Sequence, residues 1–434
     1  MIDNTTGRDA RDHYLRSVLR LKRDPFGQQA TAVLEIQEQP EDPPFFRGFV
    51  DLESDDIGQS YLDLLLREHD SIVSGPEGSG KTTLCLNLAY QLRFQTPPTL
   101  AVTYKVGPQP LPPRRALPPR FTEALATDLL IHVAEQHGRL SRAGILEPLT
   151  PELAAYCRAH IPFFQRNVAR HRGRGGDEQA FMRGWWEIWQ RPAVRYTSPD
   201  PQLLRFLDQL AKAPAPPRGP RRDTLSQALA GVDLAARLGF HRVFVLVDED
   251  DGTAEPAVWR EVVERLTHLA GNRKLAAPLY LKLFLSEPEQ QQEGPSVHSI
   301  LSPLLRNEPT SVIMNWKPEA FRELLRKRFQ SGGSKLVGFD VLAGHGVTEG
   351  VDQWLIDKAR HSPRRLVQLA GALITAHANR APGESLITLA DLQAVEQTLA
   401  HSTRAHPSTA HQGEVNDHRS RGAARLQSSA IRSR

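Results

Sequence analysis

Apolar and polar positions alternate in two different ways along this chain. Between residues 71 and 314, short apolar runs (71–75, 100–106, 243–247, 279–285 and 310–314) are separated by stretches whose apolar residues recur every third or fourth position (80–94, 224–238, 256–270 and 297–306). Runs that brief and that continuous predict strands buried on both faces. Their alternation with helices predicts a doubly wound, parallel, five-stranded α/β layer. Beyond Lys317 the period is helical throughout (319–329, 351–360, 364–377 and 389–399), which predicts a small helical domain behind the sheet.

Two further regions follow from pattern. Near the start, Tyr14, Val18 and Leu21 share one face of an amphipathic helix over 9–22, suited to dock on the core or on a neighbouring subunit, and Asp24-Pro25-Phe26 breaks it. Pro-rich linkers at 107–120 and 213–222 bracket a helical stretch in which Phe181, Trp185, Ile188 and Trp189 fall on one face. This reads as an all-helical insertion, interrupted by an Arg-rich loop at 169–176 that is either a solvated turn or a contact for nucleic acid or phosphate. The expected organisation is an N-terminal helix and linker (1–44), an α/β domain (45–316, with the insertion at about 107–222), a helical lid (317–400) and a disordered basic tail (401–434).

Composition narrows the setting. The net charge of the chain is +4, and the tail from His401 alone carries that excess, so the folded part is balanced and offers no general basic face for DNA. The two cysteines, Cys85 and Cys157, have no metal-type or redox spacing, which points to a reducing, cytoplasmic compartment. The polar start is not a secretory signal, and no apolar stretch is long enough to span a membrane.

The chemistry concentrates at 71–87, SIVSGPEGSGKTTLCLN. Gly75, the spacers Pro76, Glu77, Gly78 and Ser79, then Gly80, Lys81 and Thr82 reproduce the Gly-x-x-x-x-Gly-Lys-Thr P-loop pattern between a strand and a helix. Glycines let the backbone aim several N–H groups at a phosphate, and the helix adds its positive end. Lys81 is then placed for the β and γ phosphates and the Thr82 hydroxyl for Mg²⁺, with Thr83 the next polar neighbour. The run VFVLV ends on Asp248 and Glu249, read as a Mg²⁺-shell carboxylate and a base for the attacking water, against an acidic turn with Asp250 and Asp251. Ser286 ends the fourth strand, as a γ-phosphate contact or a turn residue. Arg306 either projects from the subunit edge as an arginine finger or complements a helix C-terminus. Arg364, in the first turn after Pro363, either reaches back over the phosphates or is a solvated basic turn residue.

With these residues in place the chain resembles AAA+ type P-loop ATPases, in the branch of origin-recognition-type initiator ATPases and STAND signalling ATPases. GPEGSGKT is similar to Walker A, VFVLVDE to Walker B, Arg306 to the arginine finger, and HSPRRL to the sensor-2 segment with Arg364 as its arginine. The resemblance covers about 45–400 without the insertion. It implies a sheet in the order 5-1-4-3-2, a helical lid over the nucleotide, binding and hydrolysis of Mg-ATP, self-assembly, and action on a protein or nucleic-acid partner. The long insertion departs from the family, and no winged helix or repeat sensor is legible. A nucleotide-binding scaffold with little turnover, recruiting protein or DNA through the insertion and tail, is the alternative.

Overall fold

The computed structural model describes residues 4–27, 32, 34–35, 44–54, 58–107, 117–172, 201–213, 223–249, 255–287, 296–348 and 350–405. Five strands, β1 (Ser71–Gly75), β2 (Thr99–Val106), β3 (Arg242–Glu249), β4 (Leu279–Ser286) and β5 (Thr310–Ile313), pair in parallel in the order β2-β3-β4-β1-β5. Read from β5 this is 5-1-4-3-2, the order the resemblance implied. Alternate residues of each strand feed opposite faces. Ile72, Val102, Val243, Val245, Leu281 and Leu283 enter one core, and Val73, Ala101, Phe244, Leu246 and Phe284 the other. With helices on both faces nothing on β3 needs to be polar until Asp248, which explains its unbroken apolar run.

The first core is shared with residues 121–161. Leu125, Leu129 and Val133 of the Phe121–Glu135 helix pack with Val102 and Tyr104 of β2, and the helices Leu146–His160, Pro201–Lys212 and Thr224–Arg237 join the same cluster. The described part of the expected insertion is therefore continuous with the α/β layer rather than a body of its own. Sequence periodicity reports that a helix is amphipathic but not which surface takes its apolar face. Ala169 to Arg172, expected as loop, form the end of the Phe164–Arg172 helix, whereas Trp185 and its neighbours lie outside the described residues.

The second core joins the sheet to the helices Lys81–Leu92, Pro318–Ser331, Val351–Ala359, Pro363–Arg380 and Leu389–Ala405. The N-terminal segment packs here too, through Tyr14, Leu15, Leu19 and Leu21. The Asn4–His13 helix and the π-helical turn Tyr14–Val18 bury Tyr14 and Leu15 against the C-terminal helices. Arg11, buried, donates from Nη1 to the Gly371 carbonyl and Thr375 Oγ1, and from Nη2 to Asp24 and the Phe26 carbonyl. Among the described residues no helix is long and apolar enough to cross a membrane.

Candidate phosphate-binding site

β1 ends inside the sheet, with β4 on one side and β5 on the other, and its last residue Gly75 stands in register with Ser286 of β4. The loop from Gly75 to Gly80 turns the chain back into the Lys81–Leu92 helix. It does so through Gly78 and Gly80, at φ +77° and +95°, a region costly for any side chain. A Cβ at Gly75 would stand 2.8 Å from Met314 Cβ and 2.9 Å from Ser79 Oγ, and one at Gly78 would stand 2.7 Å from Ser362 Oγ. Only glycine fits both places. The loop is a backbone cradle opening at the helix N-terminus, which suits a phosphate group.

Lys81 is buried, and its Nζ donates to the carbonyl of Gly75 at 2.9 Å and of Pro76 at 2.7 Å. Burial pulls its pKa down to about 8, against the carboxylates of Glu249, Asp248 and Glu77, while Arg364 pushes in the same direction as burial. Thr82 and Thr83 follow in the first helical turn, half-buried, with the Thr83 carbonyl accepting from Asn87 Nδ2 at 2.8 Å.

Strand order supplies the opposing wall. Asp248 and Glu249 end β3, one strand removed from β1, and Ser286 ends the intervening β4. Asp248 is 4% exposed and accepts from Lys105 Nζ of β2 at 2.5 Å. Glu249 accepts from the indole Nε1 of Trp259 at 2.9 Å. Two residues from later in the chain form the lip: Trp316, just after β5, donates from Nε1 to the Ser79 carbonyl at 2.7 Å, and Arg364 N donates to the Gly78 carbonyl at 3.3 Å. Arg364 Nη1 meets Glu77 Oε1 at 2.8 Å. Ser362 caps its own helix while lying 3.4 Å from the Gly78 carbonyl, so Pro363–Arg380 starts on the Gly75–Gly80 loop.

Arg306 lies apart from these residues. Pro303 cannot extend the Val297–Leu301 helix, which ends in a short 3-10 turn, and Arg306 follows in loop rather than at a helix end. Its guanidinium folds inward to the start of the sheet, donating to Asp70 Oδ1 at 3.1 Å, to the Ala270 carbonyl at 2.9 Å and to the Leu279 carbonyl. Asp70, only 2% exposed, also takes the Arg306 and Leu281 backbone N–H groups. These partners sit at the start of the sheet, at the other end of the strands from Gly75, Asp248 and Ser286.

Among the described residues no group of three or more His, Cys, Asp or Glu side chains could hold a metal. Mg²⁺ at a nucleotide needs fewer protein ligands, because phosphate and water complete its shell. The hard oxygens of Thr82 and Asp248 suit it in kind. Lys105, Trp259 and Trp316 are site residues that pattern did not reveal. Lys105 is the single charge in the β2 run, a signal that acquires meaning only once register sets it opposite Asp248. A scan against protein-family models finds no match to the chain, and a search of the curated proteins finds none either.

Proposed function

We propose that the chain is an AAA+ type P-loop ATPase, which binds Mg-ATP on the Gly75–Thr82 loop and hydrolyses it as a switch. The observation that carries this reading is the loop itself: Gly78 and Gly80 turn the chain back at φ +77° and +95°, Lys81 Nζ lies on the Gly75 and Pro76 carbonyls, and Arg364 N reaches the Gly78 carbonyl. Backbone N–H groups of the loop and Lys81 hold the phosphates, Thr82 and Asp248 hold the metal, and Glu249 turns a water toward the γ phosphate. Bound Mg²⁺ supplies charge neutralisation between the phosphates. Ser286 faces the same end of the sheet, and Arg364 ties the state of the phosphates to the helical unit. Self-assembly and a protein or nucleic-acid partner belong to the same reading and rest on the resemblance. A cytoplasmic setting rests on the two cysteines, Cys85 and Cys157, which are buried free thiols.

The scaffold reading has one observation in its favour: both acidic residues are already engaged, Asp248 by Lys105 and Glu249 by Trp259. Turnover separates the two. Glu249→Gln is expected to keep ATP affinity and to lower hydrolysis at least about a hundredfold, the typical worth of a positioned base. If wild type binds ATP without measurable turnover, the scaffold is correct. Normal turnover in Glu249→Gln would remove Glu249 from the role of base.

A further inference from the structure

Lys105 holds a place that no motif assigns. It sits on β2 in direct register with Asp248, and its Nζ lies 2.5 Å from Asp248 Oδ2 and 3.1 Å from the Glu249 carbonyl. The two partners are unequal. The Asp248 side chain is 6% exposed and fixed by its strand, whereas the Lys105 side chain is 39% exposed on a flexible stem. A carboxylate that deep needs a cation beside it, and the ammonium is the partner that can leave for water at small cost.

We infer that Lys105 is the resident counter-ion of Asp248, holding the acidic pair in place until a divalent cation takes over that carboxylate. The inference rests on the nucleotide-site reading for the identity of the cation's companion. It adds that metal entry is a competition between two cations for one buried oxygen pair. Lys105 therefore sets the Mg²⁺ concentration at which the site fills. Its hydrogen bond to the Glu249 carbonyl couples that exchange to the end of β3, since a departing ammonium releases the backbone that carries Glu249.

The test uses the full chain, a fluorescent ATP analogue and Mg²⁺ titration, for wild type, Lys105→Met and Lys105→Met with Asp248→Asn. Lys105→Met is expected to reach half-maximal analogue binding at lower Mg²⁺, on the order of threefold to tenfold, as suits a half-exposed ion pair. Thermal melting without nucleotide gives a second readout. Lys105→Met is expected to melt below wild type in EDTA and to recover with Mg²⁺ alone, and the added Asp248→Asn to restore the melting point and abolish the Mg²⁺ response. An unchanged Mg²⁺ midpoint, or a Mg²⁺ response that survives Asp248→Asn, overturns the inference. If no variant binds the analogue, the nucleotide reading fails. The melting series still decides the role of Lys105.

Discussion

Lys81 shows how much a single residue can report. Its ammonium is buried against two carbonyls, and burial brings its pKa to about 8. A phosphate favours the charged form, so binding below that pKa takes up no proton and binding above it must take one up. On the proposed reading, affinity for ATP is expected to be flat toward neutral pH and to weaken as pH rises through 8, roughly tenfold from pH 7 to pH 9. Calorimetry in buffers of different ionisation enthalpy at pH 8.5 checks this through net proton uptake. Lys81→Arg, which stays charged, is expected to flatten the profile. A wild-type affinity constant across that range would show that this lysine does not meet the phosphates.

Among the elements, the strands were the most legible and their edges the least. Buried parallel strands read as apolar runs, and every expected run became a strand to within about two residues. What closes the β2 edge was not legible. The Phe121–Glu135 helix lies beside it, Asp128 Oδ2 accepting from Thr103 N at 2.7 Å and Oγ1 at 3.2 Å, and His132 Nε2 lying 3.4 Å from Ala101 N. Two side chains four residues apart on a helix thus meet alternate N–H groups of an edge strand, so the row that would recruit another strand is covered. Burial pulls the His132 pKa down to about 3, Arg93 adding to it against a hydrogen bond to the Asp128 carbonyl, so this ring stays neutral and keeps its acceptor nitrogen. Asp128→Ala removes the acceptor for the Thr103 N–H and is expected to cost about 1–3 kcal/mol, read as a lower urea midpoint at unchanged m-value. Asp128→Leu, which fills the space without an acceptor, is expected to cost no less. Equal stability of the alanine variant and wild type would mean that the edge is closed by something else.

At the scale of the whole molecule, the Gly75–Gly80 loop and the N-terminal segment that carries Arg11 meet on one helix. Pro363–Arg380 begins against Gly78 through Ser362 and Arg364, and two turns later its Gly371 carbonyl accepts from Arg11. The amphipathic pattern near the N-terminus showed a helix with a face to bury, but the identity of its partner depended on where Pro363–Arg380 lay in space. Arg364 itself is a light contact, because its pair with the exposed Glu77 is worth little in stability. Arg364→Ala is therefore expected to melt within a degree or two of wild type while losing much of the stabilisation that ATP confers, a split that a purely structural role would not give.

Arg11 is the opposite case. Its guanidinium is 5% exposed and joins Asp24, the Phe26 and Gly371 carbonyls and Thr375. Arg11→Met keeps the apolar stem but takes the charged donor from the Phe26 and Gly371 carbonyls and from the partly buried Asp24 carboxylate, leaving Gly371 with Thr375 Oγ1 and Asp24 with the Phe26 N–H. It is expected to cost about 3 kcal/mol, in the range for breaking a buried charged network. Because Lys22 also bonds through its backbone N–H to the Gly332 carbonyl, release is expected to run past the helix to this second anchor. Trypsin is then expected to cut after Arg20, Lys22 or Arg23 in the variant at concentrations that leave wild type whole. If the N-terminal segment braces the helix that carries Arg364, ATP protects the variant less than it protects wild type. A variant that melts lower yet gains the same protection from ATP would separate the brace from the site, leaving Arg11 a stabilising contact with no reach to the phosphate loop.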